Sequence, residues 1–126
     1  MRPRVTTSRF LDHLVLSFNG ELDLATRDVF LSARELLWRA RGVRSVLDLS
    51  NVDFLDCTAV RELDLVTRAS FPEPVVVCPH GAPLRVLMYT GFTESHVVVP
   101  TLLHATSPRY RALGGLRRST PGQAGA

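Results

Sequence analysis

Three side chains that could do chemistry stand together near the middle of the chain, Asp56-Cys57-Thr58. A carboxylate directly before a helix can accept hydrogen bonds from the first free backbone N–H groups, so Asp56 is predicted to be an N-cap. A thiol in the first turn of a helix can act as a nucleophile, which makes Cys57 the one candidate nucleophile of the sequence. The alternative is that Cys57 is a small apolar residue tucked under the turn, which is the more common role of a cysteine.

Two predicted elements position this turn. The apolar run at 46–49 predicts a strand over 43–49 that is buried on both faces, followed by a turn at 50–53. A helix is predicted from Cys57 to Ala69 because apolar residues recur on one face, at Ala59, Val60, Leu63 and Val66. Its outward residues are predicted to be Arg61, Glu62, Asp64 and Arg68, with Asp64 and Arg68 forming an ion pair one turn apart.

The rest of the chain alternates strands with helices. Strands are predicted at 5–10, 13–18, 75–78 and, as an edge strand, at 97–99. Helices are predicted from about residue 25 to 41, capped by Thr26, at 82–90, with Leu84, Leu87 and Met88 inward, and at 108–113. This order predicts an α/β fold with a mixed sheet of about five strands and about four helices. The predicted sheet core is Val15, Val46, Leu47, Leu49, Val76 and Val77.

The charge of the chain is uneven. With 126 residues it is predicted to be one domain, over residues 1–113, with a disordered basic tail over 114–126. All 15 basic residues are arginine, and four of them follow residue 107, where there is no acidic residue. The remainder has 11 arginines and 12 acidic residues, a net charge of −1. A broad basic surface for nucleic acid is therefore not indicated.

Several function classes are disfavoured by what the sequence lacks. No apolar run approaches the roughly 20 residues of a membrane span, and no signal-peptide core follows the basic start, so we expect a cytoplasmic protein without a membrane partner. The two cysteines are expected to stay reduced. The four histidines are scattered, and Asp48 and Asp53 are interpreted as satisfying the turn rather than binding metal. We therefore expect no enzyme activity, no cofactor and no metal.

One face of the first long helix stands out. Arg27, Leu31, Arg34, Trp38 and Arg41 are spaced by three and four residues, which places them on one stripe. The stripe has two interpretations: an exposed face in which arginine stems cover Trp38, or a contact surface with an aromatic anchor. The sequence leaves its role open.

Two motifs resemble those of the STAS domain family, and within it the bacterial anti-sigma factor antagonists. The first is VLDL at 46–49 followed by FLDCTAV at 54–60, and the second is FNGELD at 18–23. Their spacing and the chain length also match the family. The resemblance covers roughly residues 5–99 and implies a STAS-like fold.

The resemblance also implies a function in transcription regulation by partner switching. In this family the hydroxyl after the motif aspartate is phosphorylated by an anti-sigma factor of the serine/threonine kinase type, and the unmodified form binds that factor and frees a sigma factor. The same comparison implies a contact surface formed by Glu21, Asp23, Asp56, Cys57, Thr58, Ala59 and Arg61. It leaves a homodimer open.

This chain departs from the family pattern at the switch. Cys57 stands at the family's phosphoserine position, Ala59 replaces the usual glycine, and Thr58 is the remaining phosphorylation candidate. The expected function is thus an anti-sigma factor antagonist whose switch is altered or lost. The alternative is a STAS module of another assembly: a stress-signalling complex, a lipid-transport machine or a redox sensor that uses Cys57.

Overall fold

Five strands form a single mixed sheet. The computed structural model describes residues 3–110, and its strands are β1 (Arg4–Phe10), β2 (His13–Leu22), β3 (Ser45–Leu55), β4 (Val75–Val77) and β5 (Val98–Val99). They lie in the sheet in chain order; β1 is antiparallel to β2, and every other neighbouring pair is parallel. The predicted mixed α/β sheet is confirmed, and β5 is an edge strand as expected.

Helices connect the parallel strands. A 3-10 turn (Leu24–Thr26) leads into α1 (Arg27–Arg39), and α2 (Cys57–Arg68), α3 (Ala82–Tyr89), α4 (Phe92–Ser95) and α5 (Leu102–Ala105) follow. The helix count is close to the four predicted; α4 and α5, of four residues each, are the additions. None of the helices within residues 3–110 has both the length and the apolar character needed to cross a membrane. The predicted helix at 108–113 and the tail at 114–126 lie partly or wholly outside the described residues.

Both faces of the sheet are buried, by unequal layers. The larger core lies between the sheet and helices α1 to α4, where the rings of Phe18 and Phe30 pack with centroids 5.7 Å apart. A smaller core on the opposite face joins Val15, Val46 and Val77 to Ala105 of α5. All six residues predicted for the sheet core are buried, so this prediction is confirmed.

The predicted turn at residues 50–53 is wrong, because β3 continues through it to Leu55. The reason is a partner strand: β2 also continues, past Gly20 to Leu22, and pairs with this part of β3. Two register shifts interrupt the pairing, and Gly20 adopts a φ of 95°, which glycine tolerates best. The carboxyl ends of the two strands thus lie side by side at the same edge of the sheet.

Two side-chain predictions are also wrong. Glu62, predicted to point outward from α2, is buried, and its Oε1 lies 3.5 Å from Nε of Arg27 on α1. Met88, predicted to point inward from α3, is exposed, while its neighbour Leu87 is fully buried. The predicted pair of Asp64 and Arg68 is confirmed, with Nε 2.9 Å from the carboxylate.

Candidate functional site

The two sequence motifs meet at the carboxyl end of the sheet. Leu22 of β2 pairs with Leu55 of β3, and the backbone N–H of Asp56 donates to the carbonyl oxygen of Leu22 at 3.3 Å. The chain leaves β2 at Asp23 and leaves β3 at Asp56, so both turns begin at neighbouring positions. Parallel pairing of the two strands is what brings together motifs that are distant in sequence.

The turn at Asp23 is held by reciprocal hydrogen bonds. Asp23 Oδ1 accepts from the backbone N–H of Ala25 at 2.9 Å, and Thr26 Oγ1 accepts from the backbone N–H of Asp23 at 2.9 Å. Thr26 stands at the N-cap position of α1 as predicted, but its side chain makes no cap hydrogen bond there and instead closes this preceding turn. Asp23 is half-buried, whereas Glu21 is exposed.

The turn at Asp56 has the predicted cap. Asp56 Oδ1 accepts a hydrogen bond from the backbone N–H of Ala59 at 2.8 Å, in the first turn of α2. Behind it, Cys57 is exposed, Thr58 is half-buried and Ala59 is fully buried in the larger core. The sulfur of Cys57 is therefore the more accessible of the two candidate modification sites, and the Ala59 methyl faces inward.

A cleft of about 350 Å³ opens beside Cys57. One wall is α2, with Cys57, Arg61 and Arg68, and the other is the junction of α3 and α4 around Gly91. Within the described part of the chain, the exposed Arg61 has no ion pair, whereas Arg68 is held by Asp64. Arg61 is consequently the cation at this surface that a partner's carboxylate could engage.

Two large apolar side chains at this end of the sheet are exposed. Leu24 follows Asp23 and is 66% exposed, and Phe54, two residues before Asp56, is 49% exposed. Phe54 lies opposite Glu21 in the strand register. Neither residue was predicted to be exposed here; the alternation of a strand around the buried Leu55 is the sequence signal that places Phe54 outward.

A buried histidine that was not predicted, His96, lies behind the cleft. Nε2 of His96 lies 2.6 Å from Asp64 Oδ1, and Nδ1 lies 3.3 Å from Glu73 Oε2. Both ring nitrogens can donate only when the imidazole carries two protons. The ring also packs on Phe92 with centroids 4.5 Å apart. His96 thereby connects α2, α4 and the segment before β4, although its sequence neighbours give no sign of these partners.

The two thiols lie in different environments. Cys57 is exposed and Cys78 is buried, and burial together with the charge of Asp48 raises the pKa of Cys78 to about 11. Asp48 itself accepts hydrogen bonds from the backbone N–H and the hydroxyl of Ser50, and it does so within β3 rather than at the predicted turn. Among residues 3–110, no group of three or more histidine, cysteine, aspartate or glutamate residues is arranged to hold a metal ion.

The arginine and tryptophan stripe of α1 lies at the surface. Trp38 is 64% exposed, and the guanidinium of Arg41 lies over its ring at 4.3 Å. Arg27, at the start of the stripe, pairs with Glu62 instead. The cation–π arrangement expected for an exposed face is present, but the indole remains largely uncovered.

Comparisons with known proteins give a family and a fold. The family model for the STAS domain matches residues 4–105. The crystal structure of an anti-sigma factor antagonist from Mycobacterium paratuberculosis is similar, with a TM-score of 0.74 and 22% identity, over 82% of this chain and 91% of that one. A comparison with curated protein sequences gave no significant match.

A second solved structure has a more distant likeness. It is an uncharacterized protein of the DUF3478 family from Shewanella loihica, described as having a SpoIIAA-like fold. Its TM-score is 0.51 and its identity 12%, over 79% of this chain and 85% of that chain. At these identities both likenesses establish a shared fold.

Proposed function

Since the chain belongs to the STAS domain family, we propose that it is an anti-sigma factor antagonist that binds an anti-sigma factor of the serine/threonine kinase type. The observation that carries this proposal is the meeting of the turns at Asp23 and Asp56, with Cys57 exposed between them and the cleft. The fold of a known anti-sigma factor antagonist supports it.

The composition of this surface suits a protein partner. Exposed Leu24 and Phe54 provide apolar area, and Glu21 and Arg61 provide exposed charges of both signs around it. Apolar groups surrounded by polar ones are typical of a protein interface. We therefore assign the contact to the surface that these residues form with Asp23, Asp56, Cys57 and Thr58, and release of a sigma factor follows from occupying the anti-sigma factor.

The phosphorylation switch is altered in this proposal. Phosphoryl transfer needs an acceptor oxygen in line with the leaving group, and the exposed position after Asp56 carries a sulfur. Thr58 lies about 100° further around the helix and is half-buried, so its hydroxyl is a poor substitute. We infer that the protein stays mainly in its binding-competent, unphosphorylated form.

Binding can be tested with a charge reversal and a matched control. Anti-sigma factors that co-purify with the protein from its native cell would be identified by mass spectrometry, and their affinity measured by calorimetry. Arg61→Glu should weaken binding about tenfold, because it replaces an attraction at the interface by a repulsion. Arg9→Glu makes the same charge change on β1, opposite Leu14 at the other end of β2, and should leave the affinity unchanged. Equal affinities for the parent and Arg61→Glu would contradict the proposed surface.

The switch has its own test. Incubation of the parent with the partner kinase and ATP should add little phosphate by intact mass, whereas Cys57→Ser should accept one phosphate per chain without a change in fold. Rapid stoichiometric phosphorylation of Thr58 in the parent would overturn this part. If Cys57 is instead a redox sensor, hydrogen peroxide should change the affinity of the parent for its partner and not that of Cys57→Ser.

A further inference from the structure

A second candidate surface lies at the other end of α2 from Cys57. There, a groove of about 630 Å³ runs between α1 and the segment that follows α2. We call it the Trp38 groove, and it is lined by Leu31, Arg34 and Trp38 of α1, by Arg41 just after that helix, and by Phe71. Cys57 and Ala69 are separated by the full length of α2, about 18 Å at 1.5 Å per residue. The groove is thus separate from the surface assigned to the anti-sigma factor.

The groove exposes unusually large apolar side chains next to one another. Trp38 is 64% exposed, Phe71 55% and Leu31 49%. Its floor is continuous with the larger core through the buried side chains of Leu37 and Val66. Contiguous apolar surface of this kind marks interaction sites on soluble proteins, and tryptophan is among the residues enriched in interface hot spots.

Arg41 already covers part of the Trp38 ring within the domain. The Arg41 guanidinium lies over the Trp38 ring at 4.3 Å, and its Nη1 donates to the Trp38 carbonyl oxygen at 3.1 Å. These contacts hold the indole on one side and leave its other side uncovered. A fixed aromatic side chain loses little conformational freedom when a partner covers it, which favours affinity.

The charges of the groove select the partner. Arg34 and Arg41 lie along it, while Glu35, its one acidic lining residue, is paired with Arg39 at 3.0 Å. An occupant should therefore have an apolar face bordered by acidic groups. The chain's own residues 111–126 contain three arginines and no acidic residue, and a second copy would oppose arginine to arginine, so both match poorly.

We infer that the Trp38 groove binds an acidic amphipathic helix of another protein. The wall formed by α1 and the turn after it, from Leu31 to Arg41, extends over about 15 Å, which is close to the length of a three-turn helix. Helices dock in such grooves through apolar residues spaced i, i+3, i+4 and i+7. A STAS domain with this second surface can hold the anti-sigma factor and another protein at the same time.

The single tryptophan of the chain makes the inference directly testable. The probe is a tryptophan-free helical peptide of about 12 residues with leucine at i, i+3, i+4 and i+7 and glutamate elsewhere. Saturable binding should shift the Trp38 emission to shorter wavelength. The same peptide with lysine in place of glutamate is the control and should not bind.

Two variants locate the binding, measured by anisotropy of the labelled acidic peptide. Trp38→Ala should weaken it about 30-fold, as for a central hot spot, and Arg34→Glu about fivefold, as for a reversed exposed charge. Arg61→Glu, at the surface proposed for the anti-sigma factor, should bind the peptide like the parent. If the anti-sigma factor proposal is wrong, peptide binding to the Trp38 groove is unaffected. The two proposals can therefore be refuted independently.

Four results with the peptides or with the protein alone would overturn the inference. Two concern the peptides: equal binding of the acidic and lysine peptides, or no binding of either. The other two concern the Trp38 emission of the protein alone: a concentration-dependent blue shift, which indicates self-association, or a buried emission in the monomer, which indicates that its own tail covers Trp38. Saturable binding of decanoate that excludes the acidic peptide would assign the groove to a small apolar anion instead.

Discussion

The substitution His96→Ala should destabilise the domain by about 3 kcal/mol. The ring of His96 is 2% exposed and lies between the carboxylates of Asp64 and Glu73. A hydrogen bond that involves a charged group contributes about 1.5–3 kcal/mol, and Glu73 has no other partner within residues 3–110. Asp64 keeps Arg68, so its loss is smaller. Lost packing against Phe92 adds about 1 kcal/mol.

Urea denaturation at pH 7 measures this change. The control is His80→Ala, since His80 is exposed and its removal should cost less than about 0.5 kcal/mol. At about 4 °C per kcal/mol, the melting temperature of His96→Ala should fall by roughly 12 °C. The reasoning is refuted if the unfolding free energy of His96→Ala lies within about 0.5 kcal/mol of the parent value, or if His96→Ala loses no more stability than His80→Ala. Either result would show that the buried cluster does not stabilise the fold.

The same cluster predicts a pH dependence. Burial raises the pKa of Asp64, but hydrogen bonds from His96 and Arg68 and their charges lower it by more, so its net pKa lies below the ordinary 3.8. The native state therefore binds this proton less readily than the unfolded state. The stabilisation by Asp64 is fully present above pH 3.8 and is lost as the pH falls through the lowered pKa. We therefore expect the part of the difference in unfolding free energy between parent and His96→Ala that comes from Asp64 to shrink only below pH 3.8.

Three further outcomes are expected. Val46→Asp places an unpaired charge in the smaller core and should lower the free energy of unfolding by several kcal/mol, whereas Thr7→Asp on exposed β1 should keep the melting temperature of the parent. Equal melting temperatures of the two variants would refute the core assignment. A thiol reagent at pH 8 should modify exposed Cys57 quickly and Cys78 only on unfolding, and labelling of both thiols in the folded protein would contradict their burial. Truncation after Leu113 should leave the melting temperature nearly unchanged, and a large decrease would show that the removed tail docks.

Sequence reasoning succeeded where local pattern decides structure. The apolar periodicity of α2, the Asp56 cap and the buried strand before it are each set by residues within a turn or two, and each was predicted. The resemblance to the STAS domain family is likewise confirmed, since it depends on motifs that stay contiguous in the chain. The resemblance also implied that the two motifs share one surface, and the parallel pairing of β2 with β3 brings their turns together.

The errors concern partners distant in sequence. Residues 50–53 carry turn-forming side chains, but pairing with the extended end of β2 holds them in a strand. Glu62 has the composition of a surface position and is buried because Arg27 of another helix meets it. In the sequence, His96 is one of four scattered histidines, and only the fold brings Asp64 next to it. No local pattern encodes any of these three contacts.

The hydrogen bonds at the carboxyl end of the sheet also bear on the kinetics of recognition. At one turn, the backbone N–H of Asp56 donates to Leu22 and its carboxylate accepts from Ala59. At the other, the backbone N–H of Asp23 donates to the Thr26 hydroxyl within the same turn. A partner meets a surface that needs no loop ordering, so the encounter need not wait for a conformational step and can proceed at the usual rate of rigid docking. A chemical change at Cys57 would then act by lengthening or shortening the lifetime of the complex, through its charge and volume, and not by remodelling the surface.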